Sequence, residues 1–370
     1  MKRDFENAKR IVVKIGTSVL TKPDGSLDKE YMQEVARQCC AIMAQGRIVT
    51  IVSSGAIGSG VRELGLKEPP RDIPTRQAAA AVGQSILMES WRDAFRRYGA
   101  RVAQILLTYE GFSNRRTYLN LRNSMAVLTE CGTVPIINEN DPISVHEIEA
   151  TFGDNDRLSA LVAANTDAEL LILLTDVDGL YDKNPRHKGA KLIHEVIEIT
   201  PTIEKIAGGP GSWRTKGGMR TKIEAARTAT RSKCAMIVAN ARVNEILTRI
   251  LKGEEIGTLF RAQRAGYTNK ERWIRYSRTN GTIGIDKKAK DALLTGAGLL
   301  PSGILKVDGD FTPGAIVSIA HRREEIAKGV VEYSSEELSK IKGRHTDEIE
   351  TILGYKNYDN VVRRENMAFA

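Results

Sequence analysis

From Arg10 to about Phe260 the chain alternates compact runs of Val, Ile and Leu with segments of helical period. The runs predict strands over Arg10–Ile15, Arg47–Val52, Arg101–Leu106, Val134–Ile137, Glu169–Leu174 and Ala235–Ala239. They read as near-continuous apolar stretches, the pattern of strands buried on both faces. Helices are predicted between them. Asp28–Gln45 puts Met32, Val35, Cys39, Ile42 and Met43 on one stripe, and Gly46 stops it. Arg76–Tyr98, Arg115–Glu130, Arg157–Ala164, Met219–Thr230 and Val243–Leu251 follow. Strand–helix alternation demands crossover connections, so the sheet is expected to be mainly parallel with helices on both faces.

That architecture gives the motifs meaning by position. Ligands of such sheets bind beyond the carboxyl ends of the strands. Gly16-Thr-Ser18 follows the first strand, Ser53-Ser-Gly-Ala56 the second, Asn138-Glu-Asn-Asp141 the fourth and Thr175-Asp-Val-Asp-Gly179 the fifth. Each turn alone has ordinary strand-exit chemistry, because Asp, Asn, Ser and Gly favour turns. Four at one end of a sheet mark a site.

The segment Gly211-Ser-Trp-Arg-Thr-Lys-Gly-Gly-Met-Arg-Thr-Lys222 adds a glycine pair before a lysine-bearing helix. Glycines let backbone N–H groups approach an anion, and a helix N-terminus carries partial positive charge. Lys216, Arg220 and Lys222 add full charges. The combination suits phosphate, although no G-x-x-x-x-G-K-[ST] loop is present. Lys14 interrupts an apolar strand, which is costly unless its ammonium emerges at the strand end or is paired. Lys222 stands in a first helical turn, where the dipole disfavours a cation. Both lysines go against local preference and are functional candidates. In Phe152-Gly-Asp-Asn-Asp-Arg157, Asp154 and Asp156 have a plain reading as helix caps. With Asp141 and Asp176 they make four carboxylates near one sheet edge, for which Lys14, Lys222 and a nucleotide-bound Mg2+ would supply counter-charge.

Beyond the basic stretch the pattern changes. Gly281–Asp286, Leu300–Gly303, Ile304–Asp308, Gly314–Ile319 and Val330–Tyr333 read as short strands with Gly and Pro turns, beside one helix over Lys287–Thr295. Three parts are expected: residues 1–260, a basic linker over 261–274, and a small β-rich domain over 275–370. Arg261 to Lys290 holds nine of the Lys and Arg residues against two acids, and the net charge is +9. The plain reading is a solvated junction; the sharper one is a polyanion patch. Four cysteines without metal spacing point to buried thiols in a reducing, cytoplasmic setting, and five scattered histidines form no ligand pair. No apolar run is long enough for a bilayer, so no membrane role is expected.

Val13-Lys-Ile-Gly-Thr-Ser18, Val52-Ser-Ser-Gly-Ala-Ile57, Ile137-Asn-Glu-Asn-Asp141, Phe152-Gly-Asp-Asn-Asp156, Leu174–Tyr181 and Gly217–Lys222 together resemble the glutamate 5-kinases of the amino acid kinase family. The last domain resembles a PUA domain. The resemblance implies an α/β fold, a three-layer sandwich with a mainly parallel central sheet, plus the PUA-like domain. It implies ATP and Mg2+, and transfer of phosphate to the γ-carboxylate of L-glutamate at the start of proline biosynthesis. Lys14, Lys222 and Asp156 match catalytic positions, and Ser54, Asp141 and Asn155 glutamate-binding ones. Lys14, Thr175, Asp176, Lys216, Gly217, Gly218, Met219, Arg220, Thr221 and Lys222 match ATP contacts. Lys216 departs from the pattern, since many relatives carry a small residue there. The protein ligands of the metal stay unassigned. Proline as feedback inhibitor and a homo-oligomer, dimer or tetramer, are also implied. RNA binding by the last domain is not expected.

Two competing readings stay open at this stage. One is a kinase of the same family acting on aspartate, N-acetylglutamate or UMP; the Asn-Glu-Asn-Asp turn and the last domain speak against it. The other is an RNA-binding protein using the basic stretch, which salt-dependent RNA binding would support.

Overall fold

A computed structural model describes residues 3–22, 24–108, 111–112, 114–143, 155–185, 187–208, 218–263 and 266–369. The chain divides into two compact units, Met1–Tyr109 with Leu119–Gly266, and Glu110–Tyr118 with Tyr267–Ala370.

In the first unit the strands are β1 (Arg10–Ile15), β2 (Ile48–Ser53), β3 (Arg101–Leu107), β4 (Thr133–Glu139), β5 (Leu170–Thr175), β6 (Glu195–Val196), β7 (Ala235–Asn240) and β8 (Thr258–Phe260). The helices are α1 (Thr17–Leu20), α2 (Lys29–Met43), α3 (Ala56–Glu63), α4 (Ile73–Arg96), α5 (Arg115–Glu130, whose residues up to Tyr118 are grouped with the second unit), α6 (Asn155–Asn165), α7 (Pro201–Ile206), α8 (Met219–Arg231) and α9 (Ile246–Leu251). Eight strands form one sheet in the order β3-β4-β2-β1-β5-β7-β8-β6. All pairs from β3 through β7 are parallel; β8 runs antiparallel to β7. The expected strands form the parallel part, and β6 and β8, too short to register as apolar runs, extend its edge.

Alternation along β1 sends its residues to two faces. Ile11, Val13 and Ile15 join a core with Met32 and Val35 of α2, Leu87 and Trp91 of α4, and Leu247 and Ile250 of α9. Val12 and Lys14 take the other parity, and α6, buried along nearly its whole length, packs against β1 and α8. The three layers therefore form around β1.

Helix α3 was not expected. Its seat explains why. A Cβ on Gly60 would lie 1.7 Å from the Ala79 carbonyl oxygen, and one on Gly83 would lie 1.8 Å from that of Ala56. The backbones of α3 and α4 touch through glycine, the residue that lowers helix propensity. Helix α4 begins earlier than expected because Asp72 accepts from the Thr75 N–H and Pro74 stands in the first turn. Helix α9 begins later, because Glu245 is left-handed at φ 53° and breaks the expected run from Val243.

The second unit has its own five-stranded sheet, from β9 (Gly281–Ile285), β10 (Ile304–Gly309), β11 (Ile316–His321), β12 (Glu324–Val330) and β13 (Met367–Phe369), ordered β10-β9-β11-β12-β13. Ile283, Val317, Ile319, Tyr333 and Met367 belong to its separate core. The strand expected over Val330–Tyr333 instead ends at Val330, because Ser334 starts a capped helix, Ser335–Ile341. The stretch read as a linker also needs correction. Asn269–Tyr276 is a helix closed by a capping box between Thr268 and Glu271, with Trp273 and Ile274 buried. Of the cysteines, Cys39 and Cys234 are buried, while Cys131 is exposed and not the buried thiol expected.

Candidate active site

Lys14 is the penultimate residue of β1, paired in register with Val52 of β2 and Leu173 of β5. Its ammonium reaches the sheet end and meets Asp156 Oδ1 at 2.6 Å. Asp156 sits in the first turn of α6, where a carboxylate is favoured by the dipole. Its Oδ2 accepts from Lys222 Nζ at 3.1 Å and from Thr221 Oγ1 at 2.9 Å. Gly218, the N-cap of α8, places both residues in that helix's first turn. The unfavourable position of Lys222 is offset by a carboxylate from another helix. All three charged side chains are at least nine-tenths buried, at 10%, 2% and 7% exposure for Lys14, Asp156 and Lys222. Burial alone would push the Asp156 carboxyl up. The two ammonium groups and the Thr221 hydroxyl outweigh it and hold the carboxyl at about 2. A buried carboxylate that holds two cations leaves one net positive charge at the sheet end.

A layer of amides lies beside this triad. Asn155, the residue before Asp156, donates through Nδ2 to the Ser53 carbonyl at 3.0 Å, Ser54 Oγ at 2.8 Å and Asn138 Oδ1 at 3.0 Å. The Trp91 indole N–H donates to Ser53 Oγ at 2.8 Å, which fixes the β2 exit from beneath. Asn138 Nδ2 donates to Gln84 Oε1 at 2.8 Å. Ser54, Asn155 and Asp156 are thus brought together, and Asn138 and Gln84 join them. Asn138 stood in a turn already singled out. Gln84 had no signal, being a polar residue within an Ala-rich helix.

Thr175 ends β5 and donates to Asp176 Oδ1 at 3.0 Å. Asp178, two residues on, accepts from Asn240 Nδ2 at 2.9 Å and from the Tyr181 hydroxyl at 2.9 Å, which ties this turn to the end of β7. A cavity of about 1010 Å3 opens here, lined by Lys14, Gly16, Ser54, Thr175, Asp176, Gly218, Met219 and Lys222 among others. Asp141 opens a short turn after β4 and lines a separate pocket of about 330 Å3. Arg220 is not among the cavity's lining residues; it is exposed and pairs with Glu224 one turn along α8 at 3.1 Å. Thr221 serves Asp156. Lys216, Gly217 and Asp154 lie outside the described residues. Among the described residues no group of three His, Cys, Asp or Glu side chains could hold a metal ion. Asp156 is occupied by lysines, and Asp176 is the exposed carboxylate at the cavity.

The sequence model of the amino acid kinase family matches residues 9–240, and that of the PUA domain matches residues 281–353. The chain is 53% identical over 362 residues to the glutamate 5-kinase of Methanococcoides burtonii, covering 98% of this chain and 96% of that protein. It is 52% identical over 371 residues to the glutamate 5-kinase of Methanosarcina mazei, with the same coverage of 98% and 96%. Among solved structures, carbamate kinase from Giardia lamblia bound to AMP-PNP superposes with a TM-score of 0.51 at 15% identity, over 69% of this chain and 99% of that one. At that identity the likeness is one of fold.

Proposed function

Because the chain belongs to the amino acid kinase family, and within it to the glutamate 5-kinases, we propose that its two-lysine centre transfers the γ-phosphoryl group of ATP to the γ-carboxylate of L-glutamate. The products are ADP and L-glutamyl 5-phosphate, which opens proline biosynthesis. The chain is a phosphotransferase; the residue roles below are our reading of its geometry.

The observation that carries the reading is Asp156 bridging Lys14 and Lys222 at the carboxyl end of the sheet. Phosphoryl transfer needs positioning and cationic groups around the moving phosphoryl more than proton chemistry. A γ-carboxylate has a reference pKa near 4.3, so at neutral pH it is already the nucleophile and requires no general base. One carboxylate oxygen attacks the γ-phosphorus as the bond to the bridging oxygen of ADP breaks. The obstacle is the approach of one anion to another. Lys14 and Lys222 offset it, and Asp156 fixes their ammonium groups before substrate arrives, so little reorganisation remains. Ser54 and Asn155 hold the acceptor side, with Asp141 suited to the α-ammonium group. Thr175, Asp176 and the segment from Lys216 to Lys222 take the nucleotide.

Mg2+ enters as part of the nucleotide substrate. It commonly keeps several waters and one or two carboxylates besides phosphate oxygens, which fits a cavity offering Asp176 and, among the described residues, no group of three metal-ligating side chains. Inhibition by proline, assembly as a dimer or tetramer, and a cytoplasmic setting come with the same family reading. No described helix is long and apolar enough to cross a membrane.

A substrate panel tests the assignment. ADP release from ATP is expected with L-glutamate and not with aspartate, N-acetylglutamate or UMP. Preference for any of those three overturns it.

A further inference from the structure

Hydrogen-bond polarity fixes which way Gln84 faces. The Glu139 backbone N–H, which can only donate, contacts Asn138 Oδ1 at 2.9 Å. Asn138 Oδ1 is therefore the acceptor, and Asn155 Nδ2 donates to it as well. The other end of the Asn138 amide must be Nδ2, so the Gln84 atom that receives it at 2.8 Å must be Oε1. Gln84 Nε2 then points the opposite way. Gln84 is 8% exposed, and its Nε2 finds no hydrogen-bond partner among the described residues. A buried amide donor left in that state calls for a partner supplied by something else.

The surroundings say what that partner is. Gln84 lines the pocket of about 330 Å3 together with Glu139 and Asp141. Asp141 is 5% exposed and Glu139 6%. The lining thus combines two acidic residues with the residue that carries the uncommitted amide donor. The complement is a group with adjacent positive and negative charge, such as the ammonium and carboxylate on the α-carbon of an amino acid. The amides Gln84, Asn138 and Asn155 run from this pocket to the residue beside Asp156, so an acceptor bound here lies one hydrogen-bonded layer from the lysines.

We infer that Gln84 is a substrate-binding, specificity-determining residue whose Nε2 donates to the α-carboxylate of the amino acid whose α-ammonium group Asp141 receives. This rests on the glutamate reading of the site. It also explains why an α-amino acid is selected: removing the α-carboxylate leaves Gln84 Nε2 buried and unsatisfied, and a polar group orphaned in that way discriminates strongly.

The test pairs a deletion in the protein with a deletion in the ligand. Gln84→Glu keeps the length of the side chain and the oxygen that accepts from Asn138, and removes the donor. 4-Aminobutyrate is L-glutamate without its α-carboxylate and keeps the reacting carboxylate. The kcat/KM for L-glutamate is expected to fall at least tenfold in the variant, while that for 4-aminobutyrate stays within about twofold of wild type. If 4-aminobutyrate turns over too slowly, its Ki against L-glutamate gives the same ratio. Equal losses for both ligands would overturn the inference, since the substitution would then disturb the site without regard to the α-carboxylate. No loss for either would overturn it too. Isothermal titration of wild type with L-glutamate separates the two levels: a wild type that neither binds nor phosphorylates it overturns the functional reading, and this inference with it.

Discussion

Lys14 of β1 and Asp156 of α6 meet at 2.6 Å, although each is nearly absent from solvent. Neither group would be stable there alone, because an isolated buried charge is expensive. With Lys222 on the second carboxylate oxygen, the pair becomes a preset cationic centre at the point where four polar turns leave the sheet.

Removing either lysine takes a charge from the transferring phosphoryl group and leaves Asp156 with one of its two cations. Lys14→Ala and Lys222→Ala are each expected to lower kcat by about 10²–10³ while the fold persists. Steady-state kinetics on purified, circular-dichroism-checked protein decide this. Near-normal kcat in either variant would remove that lysine from the mechanism.

Asp156→Asn is predicted to behave differently. It leaves two buried ammonium groups facing each other without a counter-ion, and breaking a buried pair costs about 3–5 kcal/mol. Urea unfolding should show a larger stability loss than for either lysine variant. Equal stability across the three would mean that the triad is not preorganised.

The pH dependence follows from the same carboxyl. Its folded value is about 2, below the ordinary 3.8. A carboxyl lowered on folding contributes stability that is complete above its unfolded value and is lost as pH falls through its folded value. The gap in urea midpoint between wild type and Asp156→Asn should therefore be flat from about pH 5 to 8 and shrink below about pH 4. A gap that closes near neutral pH would contradict the salt-bridged state.

For Asp141→Asn the expected signature is a rise in KM for L-glutamate with little change in KM for ATP. Asp141 follows β4 and lines the smaller pocket, away from the Thr175–Asp176 turn. Parallel increases in both constants would assign Asp141 to general organisation of the site.

A truncation after Gly266 is expected to retain measurable kinase activity, since every described residue of the proposed site belongs to the first unit. Ending at Arg272 would cut through a helix that buries Trp273 and Ile274 with the second unit. A folded, soluble truncation without turnover would bring the second unit into the catalytic account.

Where burial and charge disagreed locally, the sequence was informative. Lys14 inside an apolar strand and Lys222 in a first helical turn each announced a partner, and the structure supplies Asp156 to both. Strand β1 was legible to the residue because both its faces are apolar. Gln84 was not legible, since its role depends on an amide orientation set by Asn138 and Glu139 across the fold. Helix α3 was hidden because Gly60 serves close packing and not propensity. The helix over Asn269–Tyr276 was hidden by its charges, although Thr268 and Glu271 carry the spacing of a capping box.

Trapping of the acyl phosphate with hydroxylamine tests the central claim most directly. Wild type incubated with ATP, Mg2+ and L-glutamate should accumulate glutamyl hydroxamate, with ADP released in step, and Lys14→Ala should not. ATP consumption without hydroxamate, or hydroxamate undiminished in Lys14→Ala, would contradict the account of a γ-carboxylate phosphorylated at the Lys14–Asp156–Lys222 centre.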